Sequence, residues 1–569
     1  MGGRRFLVEL IKPSHYDDDG YVIQWWKSWI PSNSLACLYG IAMDLAERRA
    51  LGPDVEIEVR AYDECHTVIP VRRIIRRIKS GGAGLVCLVG IQSNQFPRAV
   101  DIAAQFRAAG IQVAIGGFHV SGCLAMLPDL PPDLEAARRM GISLFAGEAE
   151  GRLAGVFADS LEGRLRPVYN FTDDLPALQA QVTPFLPLGI VRRYGETIGA
   201  FDAGRGCPFQ CSFCTIINVQ GRKSRWRDAE DVERLVRANL AQGVFRFFIT
   251  DDNFARNRNW EAIFDRLIDM REREGLELQF IIQVDTLCHR IANFVEKAAR
   301  AGCKRVFIGL ENINPDSLLQ ARKKQNRVHE YRQMFLAWRA HRVITYAGYI
   351  LGFPGDTPER IARDIRTVQQ ELPVDLLEFF ILTPLPGSAD HKQLYKGGVW
   401  MDPDMNKYDL EHVTTGHPVM TAADWQNVYR EAWDLYYSAE HIETIFRRAK
   451  ASGIKPARLL NHIVQFYFTF LQENLHPLQG GYFRRKLRRQ RRLGLPPENP
   501  LTFYPRRVWE VIETHVKLAA FYLYLYRIRR RVERDPSAYT DRALLPPADE
   551  ETGMHANRRE NNVISGAPA

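Results

Sequence analysis

Four short apolar runs punctuate the first 120 residues: "RRFLVELI", "VEIEVRAYD", "GLVCLVGI" and "QVAIGG". Each is rich in β-branched residues and too short for a helix. Between them, near 34–49, 71–79 and 97–109, the apolar spacing becomes helical. Continuous apolar strands separated by helices predict a parallel sheet covered on both faces. Ligands of such sheets bind beyond the carboxyl ends of the strands. Those ends are Lys12-Pro13-Ser14, residues 63–66, "IQSNQFP" (91–97), "GGFH" (116–119) and "GEAE" (147–150).

Residues 162–196 lose this periodicity, and Pro167, Pro176, Pro184 and Pro187 mark a linker. A second alternation follows. Strands are predicted at 198–202, 245–250, 278–284, 305–311, 344–351 and 376–383, with helices between them such as 229–242, 260–274 and 358–371. Six β-then-α repeats make a partial barrel, whose chemistry belongs on the loops after the strands. Beyond about residue 400 the pattern changes to helices at 425–437, 457–473 and 505–532, aromatic on one side and arginine-rich on the other. The predicted organisation is an α/β chain: a Rossmann-like domain (1–161), a linker (162–196), a partial (β/α)6 barrel (197–400), a helical region (401–534) and a disordered tail (535–569).

A chain of 569 residues has room for three to four domains. No apolar run reaches the roughly 18–20 residues of a membrane-spanning helix. The start, "MGGRRFLVELIKPSH", is interrupted by Glu9 and Lys12 and reads as a strand, not a signal peptide. Nine cysteines without regular spacing argue against a disulfide scaffold and for a reducing cytoplasm. The net charge of +9 is concentrated in "YFRRKLRRQRRLGLPP" (482–497) and "YRIRRRVER" (526–534). Such segments form a solvated basic face or meet an anionic membrane surface. No nucleic-acid motif accompanies them, so no nucleic-acid partner is expected.

"CPFQCSFC" places Cys207, Cys211 and Cys214 directly after the first barrel strand. Thiolates suit zinc or an iron–sulfur cluster. A structural zinc site wants four ligands, and the next cysteine, Cys288, lies at the end of another strand. Three thiolates on a cluster leave one iron open. Cys-x3-Cys-x2-Cys with an aromatic before the last cysteine, at the top of such a barrel, resembles the radical S-adenosylmethionine (SAM) superfamily. The resemblance implies a [4Fe-4S] cluster on these three cysteines, whose fourth iron binds SAM. It also implies reductive cleavage to a 5′-deoxyadenosyl radical and an electron donor such as flavodoxin or ferredoxin.

"GYILGFPGDT" (348–357) resembles that family's fifth-strand motif, and "FITDDNF" (248–254) and "FIGLEN" (307–312) match strand ends two and four. On this resemblance Phe213, Asp251, Gln283, Glu311, Gly348, Ile350 and Gly352 are the expected SAM contacts. Asp252 and Asp285 stand at the same mouth. Each carboxylate could equally cap the helix that follows it.

The N-terminal sheet resembles the cobalamin-binding class of the superfamily, through the strand–helix–strand–Gly-Gly-x-His unit of 84–122 and the turn in "FAGEAEGRL". Gln92, Ser93, Gly116, Gly117, His119, Gly147 and Glu148 are its expected cobalamin contacts. The Asp-x-His-x-x-Gly signature that supplies a lower histidine ligand is absent. "DECH" (63–66) has the wrong spacing, and His66 and His119 are expected to hydrogen-bond rather than to bind cobalt. The alternative is a domain that no longer binds cobalamin and only shapes the substrate entrance.

The resemblance implies a cobalamin-dependent enzyme that methylates an unactivated carbon. An oxidative cyclase or rearrangement enzyme, a methylthiotransferase and a non-catalytic iron–sulfur scaffold are the alternatives. A methylthiotransferase would need three further clustered cysteines, whereas Cys37, Cys65, Cys87 and Cys123 are scattered. No general acid or base and no substrate can be read beyond a small or lipid-like molecule. The aromatic segments 459–471 and 516–531, near arginine clusters, predict either a helical cap on the barrel or peripheral docking on the inner membrane face.

Overall fold

The computed structural model describes residues 4–547. In chain order, β1 (Arg4–Lys12) is followed by a short strand that leaves the first sheet, β2 (Trp25–Ser28), then by β3 (Val55–Asp63), β4 (Gly82–Leu88), β5 (Gln112–Gly116), β6 (Ser143–Ala146) and β7 (Val168–Asn170). Six of these form a parallel sheet in the order β3-β1-β4-β5-β6-β7. Phe6, Val8 and Leu10 of β1 face one core, and Leu7 and Ile11 face another. This alternation is that of a sheet buried on both sides. Strand β3 is added on one side of β1 and β4 on the other, and this reversal of strand order sets a switch point between β1 and β4. The predicted linker is more than a linker: its β7 pairs with β6 and completes the sheet edge.

The second sheet begins with β8 (Ile198–Phe201), followed by a small antiparallel pair, β9 (Gly204–Arg205) and β10 (Arg225–Trp226). It continues with β11 (Arg246–Ile249), β12 (Gln279–Val284), β13 (Cys303–Glu311), β14 (Ile344–Leu351) and β15 (Leu376–Ile381). The six long members are parallel neighbours in sequence order, so the expected partial barrel forms. The two domains share one apolar core, because the helix Asn33–Glu47 fills the space between β1 and β8. That shared core fixes how the two sets of strand ends face each other.

The helical region holds one helix the periodicity did not separate, Ala439–Ala451. Trp425 and Trp433 of the helix Ala422–Tyr436 are fully buried. Rings of this size each bury roughly 150–250 Å², worth several kcal/mol at about 25 cal/mol per Å². The last strand, β16 (Gly481–Arg484), pairs antiparallel with β2 and ties the C-terminal region to the first domain. The two aromatic segments part company. Leu459, Ile463, Phe466 and Phe470 are buried, as a cap requires, whereas most of the helix Pro500–Arg534 is exposed. The expected disorder after residue 534 is not what residues 535–547 show. Asp535 pairs with Arg447 at 2.8 Å and Asp541 with Arg448 at 2.7 Å. The rest of that tail lies outside the described residues. Among the described residues no helix is long and apolar enough to cross a membrane.

Candidate active site

After β8 the chain turns through Asp202 and β9 into the loop from Cys207 to Cys214. Asp251, at the end of β11, holds that turn. Its Oδ1 accepts the backbone N–H groups of Ala203 at 2.7 Å and Gly204 at 2.9 Å, and its Oδ2 accepts Asn257 Nδ2 at 2.9 Å. Burial raises its pKa to about 7. Asp251 therefore anchors the cysteine loop, with both oxygens taken. Gln283 donates to the backbone oxygen of Asp251 at 3.4 Å. Asp285 is bound by Arg256 at 2.7 and 2.8 Å, and that guanidinium lies 5.4 Å from the Phe209 ring.

The three thiols lie within electrostatic reach of one another through Cys211. Each sulfur meets hydrogen-bond donors. The Phe209 backbone N–H and the Asn253 side chain point at Cys207, and the N–H groups of Ile216 and Ile217 at Cys214. Gln325 Nε2 donates to Cys211 Sγ at 3.3 Å. Lys323 is buried, lies 5.7 Å from the Phe213 ring centre, and has Cys211 and Cys214 within range of its charge. Donors and a cation around sulfur favour thiolate, the form a metal needs. Burial raises the pKa of Cys207 and Cys214, the latter to about 12. Bound iron would remove those protons outright.

Cys288 is not part of this group. It is fully buried, with Asp285 and Trp338 nearby. Among the described residues no three His, Cys, Asp or Glu side chains are arranged to hold a metal ion. A single zinc ion would need at least three such side chains converging on it. A cluster, with one thiolate per iron, does not require that convergence. The donor set fits the cluster expected from the sequence.

Lys323 forms an ion pair with Glu311, whose backbone is left-handed at φ 63°. Ile350, Phe353 and Ala321 form an apolar group that Phe213 and Phe380 join. Gly348 lies between the rings of Phe307 and Phe380. The close approach at Gly352 is to an indole: at φ 102° a Cβ there would lie 1.8 Å from Trp425 Cζ2. The loop is clamped by Ser212 N–H to Ala321 O at 3.0 Å and Asn218 Nδ2 to Gly387 O at 2.9 Å.

Across the crevice, a cavity of about 170 Å³ opens at the carboxyl ends of β4, β5 and β6, beside the switch point. Its lining is mostly apolar and includes Leu38, Ile41, Val89 and Phe145. Of the residues expected to contact cobalamin, Gly116, Gly117, Gly147 and Glu148 line it. Gly117, at φ 150°, brings the turn so near Ile91 that a Cβ would lie 2.1 Å from its nitrogen. Gln92 is exposed outside the cavity. Ser93 is buried and bonds His119 Nδ1 at 3.1 Å, while His119 Nε2 meets Asp133 at 2.8 Å. Both nitrogens of that histidine are occupied.

The cavity and the cysteine loop are joined by a buried ionic network. Arg205 Nη1 donates to Glu148 at 2.6 Å, Nη2 to Glu150 at 2.6 Å, and Nε to Asp202 at 3.0 Å. Arg225 Nη1 donates to Glu148 at 2.8 Å. Glu148, expected to bind a cofactor, has its carboxylate committed to these two arginines. The sequence reading did not single out Arg205, Arg225, Lys323 or Gln325. The only signal was proximity: Arg205 lies in "GRG" before the cysteines, and "RKKQN" (322–326) follows Glu311.

Residues 203–368 match the family model of the Radical SAM superfamily. Bacteriochlorophyllide d C-12(1)-methyltransferase of Chlorobaculum tepidum is 28% identical over 324 residues, covering 55% of this chain and 66% of that protein. Hopanoid C-2 methylase of Rhodopseudomonas palustris is 23% identical, covering 63% and 66%. The chain thus spans about two thirds of the length of these curated relatives. Among solved structures, the fold matches the radical SAM methyltransferase TsrM of Kitasatospora setae, with tryptophan and a SAM analogue bound. The TM-score is 0.59 at 16% identity, covering 76% of this chain and 90% of that one. The cobalamin-dependent radical SAM enzyme OxsB, with aqua-cobalamin and SAM bound, matches at TM-score 0.53 and 13% identity, covering 98% and 84%.

Proposed function

The chain carries a radical SAM domain, with the [4Fe-4S] cluster and SAM that such a domain implies, and from that premise we propose that it is a cobalamin-dependent enzyme methylating an unactivated carbon. The carrying observation is the Arg205 network. It ties Glu148 and Glu150, in the lining of the apolar cavity, to Arg205, two residues before Cys207 in the chain. Cys207, Cys211 and Cys214 would hold the cluster. Phe213, Glu311, Gly348 and Ile350 would form the SAM side of the mouth, with Lys323 balancing Glu311. When bound, the cofactors supply radical chemistry and a methyl group. The chain's own residues orient and shield: Asp251 fixes the loop, the Phe213–Ile350–Phe353 group excludes water, and the apolar cavity would hold part of the cobalamin.

Two relatives are named for methylation at carbon, and two structural neighbours are described with cobalamin. The names support methylation over a cyclase, and the cobalamin of the neighbours fits either reaction. Cys37 meets Asp202 and Arg205, and Cys65 meets Lys12, so these thiols are engaged away from one another and do not favour the second cluster of a methylthiotransferase. Product analysis tests the reaction. Methylation by this route forms S-adenosylhomocysteine together with 5′-deoxyadenosine, whereas a cyclase or rearrangement forms 5′-deoxyadenosine alone.

The helix Pro500–Arg534 supports a place for the reaction. Leu501, Val508, Trp509 and Val516 are 59–82% exposed. At 35 residues the helix is roughly 50 Å long. Trp26 and Phe483 continue the patch, and Phe483 stacks on His515 at 5.2 Å. With the arginines of 485–492 and 527–534 nearby, the fitting occupant is an anionic bilayer surface, which would deliver a lipid-like substrate. Salt-sensitive binding to anionic liposomes, lost in Val508→Asp/Trp509→Asp, is the expected result. Equal binding to neutral and anionic vesicles would favour a water-soluble substrate.

A further inference from the structure

The barrel has a second concave site, at the end opposite the cysteine loop. A cavity of about 410 Å³ opens at the amino ends of the strands, where Ile198, Phe247, Phe280 and Ile344 form an apolar floor. Four cations line it: Arg246, Lys304, Arg305 and Arg458. His462 stands beside them, and Glu196 is the one carboxylate in the lining. Glu196 is already engaged by Arg305 Nη2 at 3.0 Å. Its backbone oxygen accepts Arg246 Nη1 at 3.1 Å. The side chains of Lys304 and Arg458 have no hydrogen-bond or ion-pair partner among the described residues. Burial lowers the Lys304 pKa, and the charges of Arg271 and Arg458 lower it further. Like charges gathered in a concave, low-dielectric wall focus an attractive field on an anion.

The rim connects this cavity to the aromatic surface described above. Glu196 follows Gly195, which packs against the Trp29 ring, and Trp29 meets Tyr482 at 3.9 Å between ring centres. The next residue, Phe483, is the one that stacks on the long C-terminal helix.

We propose that this cavity binds a phosphate-type oxyanion, supplied by the headgroup of an anionic phospholipid or by a free phosphate or phosphomonoester. Guanidinium forks match phosphate oxygens in pairs, and an ammonium adds a mobile point charge. The volume suits a small headgroup above an apolar floor. The oxyanion site stands independently of the membrane reading; only the lipid source depends on it.

The test uses the full, cluster-reconstituted chain and Lys304→Ala/Arg458→Ala, with Lys304→Gln/Arg458→Gln as the bulk-conserving pair should the alanines unfold. Retained iron reports folding. Two probes are titrated: inorganic phosphate, and phosphatidylcholine vesicles with and without phosphatidic acid. The variants should bind roughly tenfold more weakly, the scale of lost charge-assisted contacts. Weakening toward the anionic vesicles identifies a lipid headgroup as the source, and weakening toward phosphate alone identifies the free anion. Equal affinity of wild type and variants for both probes would overturn the proposal.

Discussion

Arg205 Nη1 lies 2.6 Å from Glu148 Oε2, joining the turn after β6 to the residue two places before Cys207. Both side chains are less than a tenth exposed. Removing one partner of such a buried pair leaves the other charge uncompensated, at a cost of about 3–5 kcal/mol. Arg205→Ala should therefore lower the unfolding free energy obtained from denaturant titration by that amount and reduce iron retention. Arg205→Lys should not restore either, because one ammonium cannot serve Glu148, Glu150 and Asp202 in the directions the fork provides. Full rescue by lysine would show that charge alone suffices.

Cys207→Ala, Cys211→Ala and Cys214→Ala should each abolish the iron–sulfur absorption of the reconstituted protein and SAM cleavage with it. Cys288→Ala should keep both. Iron loss in Cys288→Ala would replace the three-thiolate site by a four-cysteine one.

Lys323→Met should weaken SAM binding or activity by roughly 10–100-fold, the range for residues that orient ligands of a metal site. It removes the partner of Glu311 and the cation facing Cys211 and Cys214. Isothermal titration with SAM and iron analysis separate the two effects: lost affinity with full iron content points to Glu311, and lost iron to the thiolates. Unchanged values for both would leave Lys323 no role in the site.

Glu378 projects from β15 with both oxygens buried and unpartnered, and its nearest basic group is His476 Nε2 at 3.6 Å. Burial raises its pKa to about 8 from an ordinary 4.5. The native state thus keeps a proton that the unfolded chain releases. The stability this contributes is complete below pH 4.5 and declines as pH rises to 8, by about 1.4 kcal/mol per pH unit. Glu378→Gln should flatten that decline, so its melting temperature overtakes that of the wild type toward pH 8. Parallel melting curves across this range would contradict the assignment.

The features legible in the sequence were those carried by local spacing. The six barrel strands follow from short apolar runs separated by helical ones, and the three cysteines fall within eight residues. What escaped depends on contacts between distant positions. Arg205 and Glu148 are 57 residues apart, and each alone looks like an ordinary surface charge. Lys323 reads as one of several basic residues until β13 and its following loop place it over Phe213. β7 hid in a proline-rich stretch because only the edge of a sheet makes three residues a strand. The tail beyond 534 looked unable to fold on composition, yet Asp535 and Asp541 are ordered by arginines of a helix some 90 positions earlier.

The central claim is that one crevice brings cobalamin to the cluster-bearing barrel. Corrinoid retention tests it most directly. Anaerobically reconstituted chain, incubated with excess hydroxocobalamin and passed through a desalting column, should retain stoichiometric corrinoid with a spectrum lacking a histidine lower ligand. It should lose that corrinoid when apolar cavity residues such as Ile41 are enlarged to Trp, while iron content holds. Wild-type protein that emerges with a full cluster and no corrinoid would contradict the account and leave a cobalamin-free radical enzyme.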